Sequence, residues 1–233
     1  MFKSAVIFAA GKAKRMNGVS KAMQIVAEKP LISYGIDALL YCHITNIWIV
    51  HRPGDDLIFR IKELYKDCAD IKFVCDFQMK GAVNVHLFIE KLIDYPAITL
   101  DCDIIVQPKD FFNMIKYGEK KLSCKSCNAV VAIINNPING ELRQFYVEDE
   151  TIKRFCAAGI KNGVCGGYIF GWKYSLKHEL LHYYNDKTKM FNSFFEYYIS
   201  KYKVCVMPIE YLWDVDTLEM IRWTERVLEN GEL

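Results

Sequence analysis

One cationic loop and two acidic motifs are the segments of this chain best equipped for chemistry. The loop follows an apolar run and reads Ala9-Ala10-Gly11-Lys12-Ala13-Lys14-Arg15-Met16-Asn17-Gly18-Val19-Ser20-Lys21. A short loop leaving a buried strand can aim backbone N–H groups at a polyphosphate, and Lys12, Arg15 and Lys21 add charge where anion density is highest. Group transfer at phosphorus needs that charge on both the reacting phosphate and the departing one. The first acidic motif, Asp101-Cys102-Asp103, ends another apolar run. A carboxylate at the end of a parallel strand can hold Mg²⁺ or Mn²⁺, which prefer oxygen donors and bridge phosphate oxygens. The second, Trp213-Asp214-Val215-Asp216-Thr217, supplies Asp214 or Asp216 as a further carboxylate. Taken singly, the loop is also a basic surface turn, and Asp216 is also a helix N-cap.

The elements that must position these residues alternate. Residues 5–10 (AVIFAA), 47–50 (IWIV), 71–74 and 97–100 read as buried strands, with helical patterns at 30–40, 55–65 and 82–93 between them. Such βαβ units imply a mostly parallel sheet covered by helices on both faces. After about residue 120 the rhythm changes. Runs at 129–134, 143–147 and 164–170 read as strands separated by turn residues, a small mixed or antiparallel insertion. Aromatic helices at 176–184 and 191–202, a strand at 204–208 and a helix from about Thr217 follow. No repeat or linker interrupts the chain, so 1–233 is expected to be one domain. It divides into halves of about 1–120 and 121–233.

Composition narrows the class. At 233 residues the chain can build a sizeable core, and a net charge of +2 is too small to point to nucleic acid or an anionic membrane as partner. Nine cysteines without framework spacing read as reduced thiols. No run approaches the roughly 18 apolar residues of a membrane span, and the first residues lack the charge order of a signal peptide. A cytoplasmic protein is expected.

The motifs resemble one superfamily. Ala10-Gly11, Arg15-Met16 and Lys21 are similar to the loop of the sugar-nucleotidyltransferases and molybdenum-cofactor guanylyltransferases. Val26-Ala27-Glu28-Lys29-Pro30-Leu31-Ile32 resembles the segment that follows it there, and Trp213–Thr217 resembles the late acidic motif. Ala13 and Ser20 depart from the pattern, standing where glycine and proline or aspartate are usual. The resemblance implies a Rossmann-like, GT-A-like α/β/α fold. It also implies Mg²⁺-dependent transfer of a nucleotidyl group from a nucleoside triphosphate to a small phosphorylated acceptor.

It further implies roles. Ala9, Ala10, Gly11, Lys12, Arg15 and Lys21 would bind the triphosphate, and Gln78 and Gly81 the base. Asp103 with Asp214 or Asp216 would hold the metal, and Arg15, Lys21 and Asp103 would carry catalysis. Cys165-Gly166-Gly167-Tyr168-Ile169-Phe170 resembles the acceptor strand, so Gly166 and Gly167 would line the acceptor pocket, with Lys153 or Lys161 replacing an acidic-lysine pair. The loop leans to CTP, then UTP, while the six-residue step from Arg15 to Lys21 is shared with guanylyltransferases. The acceptor is a sugar phosphate, polyol phosphate, phosphocholine or similar metabolite. Compact relatives serve capsule, lipopolysaccharide or cofactor synthesis.

Other motifs compete. Asp101-Cys102-Asp103 is also the D-x-D of a glycosyltransferase. His178-Glu179-Leu180-Leu181-His182 is a literal zinc-protease motif. Cys124-Lys125-Ser126-Cys127 is half a zinc knuckle, with Cys156 and Cys165 as distant partners. The aromatic run at 191–198 reads as core or as the contact of a homodimer.

Overall fold

The computed structural model describes residues 1–11, 20–54, 56–67, 70–77, 82–135, 144–156, 163–184 and 191–229. The parallel half is built from β1 (Ser4–Ala9), β4 (Asn46–His51), β5 (Asp70–Cys75) and β6 (Ala97–Asp101). Their order is β5-β4-β1-β6, all parallel, with Ala9 beside His51 and Phe8 beside Asp101. The sheet continues through β11 (Val164–Trp172), β8 (Ala129–Ile134) and β12 (Val204–Ile209). β11 runs antiparallel to both β6 and β8, whereas β8 and β12 are parallel. The expected insertion is therefore part of one nine-stranded mixed sheet. A hairpin of β9 (Gln144–Glu148) and β10 (Thr151–Cys156) completes it, bonded to β12 near its turn and to the start of β11 at its open end.

Period-2 alternation decides which helix each strand residue meets. Ala5, Ile7, Ile47, Ile49, Ile98, Leu100, Val130 and Ala132 face one layer, formed by α1 (Leu31–Tyr41), α2 (Leu57–Leu64) and α4 (Pro108–Ser123). Val6, Val50, Val131, Val204 and Val206 face the other, formed by α3 (Ala82–Ile89), α5 (Lys177–Tyr184) and α6 (Phe191–Lys201). The result is a three-layer α/β/α sandwich. The sequence expectation omits α4, although Pro108 in its first turn and Phe111, Met114, Ile115 and Leu122 at helical spacing mark it. The aromatic run of α6 is core: Phe194, Phe195 and Tyr198 are buried around Trp172.

A small third cluster supports the carboxyl edge of the sheet. Val26, Leu31, Tyr34, Ile105, Trp213, Val215 and Ile221 pack together there. Val26 belongs to β2 (Ile25–Val26), which pairs with β3 (Lys29–Pro30) through a two-residue turn. Both turn residues, Ala27 (φ 43°) and Glu28 (φ 68°), are left-handed. This backbone favours glycine or asparagine, because an L-residue's Cβ crowds its own carbonyl there. Glu28→Gly is expected to raise stability by about 0.5–1 kcal/mol, read from a urea melt. An unchanged or lower midpoint would show that the Glu28 side chain contributes more than its strain costs.

Candidate active site

Three segments far apart in the chain converge at the carboxyl edge. After β6, the chain turns through Cys102 and Asp103 into β7 (Ile104–Ile105), which pairs antiparallel with β13 (Trp213–Asp214). Ile104 lies opposite Asp214, and the Val215 N–H donates to the Asp103 carbonyl at 2.8 Å. Buried Val215 points into the apolar cluster beneath, so alternation leaves Asp214 and Asp216 on the opposite side, with Asp103. Thr217, not Asp216, caps α7 (Leu218–Glu229): its hydroxyl accepts from the Met220 N–H at 3.2 Å.

Lys21 comes from the first loop. It opens a short 3-10 turn, Lys21–Met23, anchored by buried Ala22 and Met23. Its ammonium donates to Asp103 Oδ2 at 2.8 Å and to Asp216 Oδ1. Burial works against the Lys21 charge, but the attraction and hydrogen bonds of Asp103 and Asp216 outweigh it, and the ammonium titrates above the usual lysine range. At Asp214, burial and then the carboxylates of Asp103, Asp216 and Asp101 push the carboxyl up to about 8, with Lys21 opposing.

Among the described residues, the carboxylates gathered here outnumber the one ammonium that pairs with them. Asp103, Asp214 and Asp216 each offer one oxygen, all within 4.8 Å of one another, the only such cluster among the described residues. Clustered hard oxygen donors suit a divalent cation such as Mg²⁺, and Lys21 already shows that a cation is held between two of them. The residues fit the metal that the motifs imply.

Most other expected positions can be placed. Ala9 ends β1 beside His51, with Ala10 and Gly11 following at the same edge. Lys12, Arg15, Gln78, Gly81 and Lys161 lie outside the described residues. Asp101 ends β6 but is not in the metal-sized group. Gly166 and Gly167 reach the edge on β11, where the register with β8 shifts and Gly167 adopts φ 89°. Gly166 has a packing reason of its own: a Cβ there would lie 2.1 Å from the Ala132 carbonyl oxygen. Lys153 is exposed on β10 and pairs with Glu148 at 3.9 Å, and no bond among the described residues ties it to the acidic group.

The competing motifs fare differently. In the zinc-protease motif on α5, His178 is almost fully exposed and Glu179 accepts a 2.6 Å hydrogen bond from Tyr202, so the glutamate is engaged elsewhere. The half knuckle is not joined by Cys165, which lies at the opposite end of the strands. The side chain of Cys156 is outside the described residues. No described helix is long and apolar enough to cross a membrane.

Comparison with known proteins agrees with this fold. Residues 5–116 match the MobA-like NTP transferase domain. A search of curated proteins finds no match. Among solved structures, a UDP-glucose pyrophosphorylase complexed with UDP-glucose superposes with a TM-score of 0.79 at 14% identity, covering 99% of this chain and 100% of that one. A UTP-bound UGPase from Acinetobacter baumannii gives 0.78 at 12% identity, covering 99% and 94%. The inositol-1-phosphate CTP transferase from T. maritima gives 0.79 at 12%, covering 98% and 97%. At these identities the structures speak to the fold, which they share over nearly its whole length. Residues 5–116, just under half of the chain, thus match a domain family of NTP transferases, and nearly the whole chain shares the fold of solved nucleotidyltransferase structures.

Proposed function

We propose that this enzyme transfers a nucleoside monophosphate from a triphosphate, CTP before UTP or GTP, to a small phosphorylated acceptor and releases pyrophosphate. The observation that carries the reading is Lys21 held by Asp103 and Asp216, with Asp214 beside them, at the edge where the Ala9-Ala10-Gly11 turn leaves β1. The acceptor is a sugar phosphate, polyol phosphate, phosphocholine or related metabolite.

In this reading the Gly11 turn, Lys12 and Arg15 bind the triphosphate, and Gln78 and Gly81 meet the base. Lys21 places positive charge beside the reacting phosphate, anchored by two carboxylates. Asp103, Asp214 and Asp216 would hold Mg²⁺, which supplies charge neutralisation on phosphate oxygens when bound. An acceptor phosphate oxygen bonds to the α-phosphorus while the bond to the bridging oxygen breaks, and both electrons of that bond leave with pyrophosphate. The attacking phosphate is already anionic at neutral pH, so no general base is needed. Positioning and charge do the work. Gly166, Gly167 and Lys153 are assigned to the acceptor side.

Thermal melting with CTP, UTP, GTP and ATP, each with and without Mg²⁺, tests the reading. A triphosphate at about 100 times its Kd stabilises by about 2.7 kcal/mol, or about 5–10 °C for a chain of this size. One nucleotide is expected to stand out, and only with Mg²⁺. Stabilisation by a sugar nucleotide but by no triphosphate would overturn the reading in favour of glycosyl transfer.

A further inference from the structure

The Cys124-x-x-Cys127 motif takes no part in the site above, and the structure gives it a different setting from a zinc knuckle. It forms the turn between α4 and β8, where the Cys127 N–H donates to the Cys124 carbonyl at 3.3 Å. A turn closed between residues i and i+3 holds their Cα atoms within about 7 Å, and disulfides span about 4.4–6.8 Å. The two cysteines differ in access. Cys124 is exposed, with its sulfur 3.2 Å from the Ser126 hydroxyl. Cys127 is buried, donates to the Ala129 carbonyl at 3.3 Å, and lies in the same buried cluster as a third thiol, Cys205 on β12.

The surroundings are cationic. Lys173 donates to the Cys124 carbonyl at 2.8 Å, and the Lys203 carbonyl accepts from the Asn128 N–H, which brings that strand entry alongside. The Ser126 hydrogen bond and, secondarily, Lys203 draw the Cys124 thiol below the usual cysteine range. An accessible, hydrogen-bonded thiol among lysines, followed three residues later by a second thiol, has the parts of a redox pair.

We propose that Cys124 and Cys127 form a reversible dithiol–disulfide site that exchanges with small anionic disulfides of the glutathione type. The Cys124 thiolate attacks one sulfur of glutathione disulfide, and one glutathione leaves as thiolate. Cys127 then gives up its proton and attacks the Cys124 sulfur, releasing the second glutathione. The net change is loss of two protein S–H bonds, formation of one S–S bond and reduction of glutathione disulfide to two glutathiones. Bridging draws the Cys127 sulfur away from Ala129 and Cys205. The site lies at the amino end of β8, about 20 Å along the strand from the carboxyl edge, and is independent of the nucleotidyl-transfer reading.

Equilibration of the full chain in glutathione buffers of graded ratio, followed by thiol alkylation and peptide mapping, tests this. The expected product is a Cys124–Cys127 disulfide that rises with the oxidised fraction and reverses on reduction. Cys127→Ser should accumulate the mixed disulfide on Cys124, and Cys124→Ser should slow thiol loss at Cys127 about tenfold or more. A wild-type protein that stops at the Cys124 adduct would overturn the proposal. So would a Cys127–Cys205 bridge forming as fast in Cys124→Ser as in the parent. The wild-type map decides even if a variant misfolds.

Discussion

Lys21→Ala is expected to lower turnover by about 10³-fold, in the range found when a charge aimed at a reacting oxyanion is removed, while circular dichroism stays native. The contacts that hold Lys21 are polar and lie at the sheet edge, so the core loses little. The substitution also has a metal-dependent signature. Without the ammonium, Asp103, Asp214 and Asp216 stay crowded within 4.8 Å but lose the cation that Lys21 supplies, a loss worth about 1–3 kcal/mol of stability for a partly buried group. Mg²⁺ is expected to recover that loss in Lys21→Ala, so the variant should be stabilised by Mg²⁺ at least as strongly as the parent. Asp103→Asn should lose turnover and the Mg²⁺ response together. Calorimetry with and without Mg²⁺, beside a pyrophosphate-release assay, separates these outcomes. Near-normal turnover in Lys21→Ala would sink the proposed role. A Mg²⁺ response surviving in Asp103→Asn would remove that carboxylate from the metal site.

Gly166→Ala is expected to have the largest effect on stability. Its added methyl would sit 2.1 Å from the Ala132 oxygen and 3.0 Å from Ile133 Cα, both backbone atoms of the neighbouring strand. No side-chain rotation relieves that overlap, so β11 and β8 must separate locally at the carboxyl edge of the sheet. Overpacking against an immovable neighbour costs about 3 kcal/mol or more, a fall in Tm of about 6–12 °C at this size. Thermal melting without ligands measures it. A native-like Tm with a raised acceptor KM would mean that the glycine is kept for the acceptor alone. A low Tm with normal catalysis in the folded fraction would assign it to packing.

The β1–α–β4–α–β5 half was legible because a strand buried on both faces must be apolar throughout, and its helices must be amphipathic. Segments such as 5–10 and 47–50 carry that signature without reference to anything distant. The second half was less legible. Residues 164–170 and 129–134 read correctly as strands, but nothing local says that β11 inserts between β6 and β8 with reversed direction. α4 was missed although its apolar spacing is regular, since it follows directly on the acidic motif that dominates that stretch.

By itself, the sequence determined the chemistry available to this protein: which residues are cations and carboxylates, which runs are apolar, and therefore that phosphate and a divalent metal suit it. Asp214 and Asp216 were interchangeable at that level, because residue type and spacing are the same for a ligand and for a helix cap. The tertiary structure keeps both: the cap falls to Thr217, and β13 pairs with β7, which brings both aspartates beside Asp103. Likewise the zinc-protease and zinc-knuckle motifs are indistinguishable from real sites in one dimension. Only packing shows Glu179 bonded to Tyr202, and Cys127 beside Cys205 with Cys165 at the far end of the strands. The physical reason is common to all of these cases. Side-chain chemistry is local, but a site is a set of distances among residues up to 195 positions apart, and those distances are set by strand order and register.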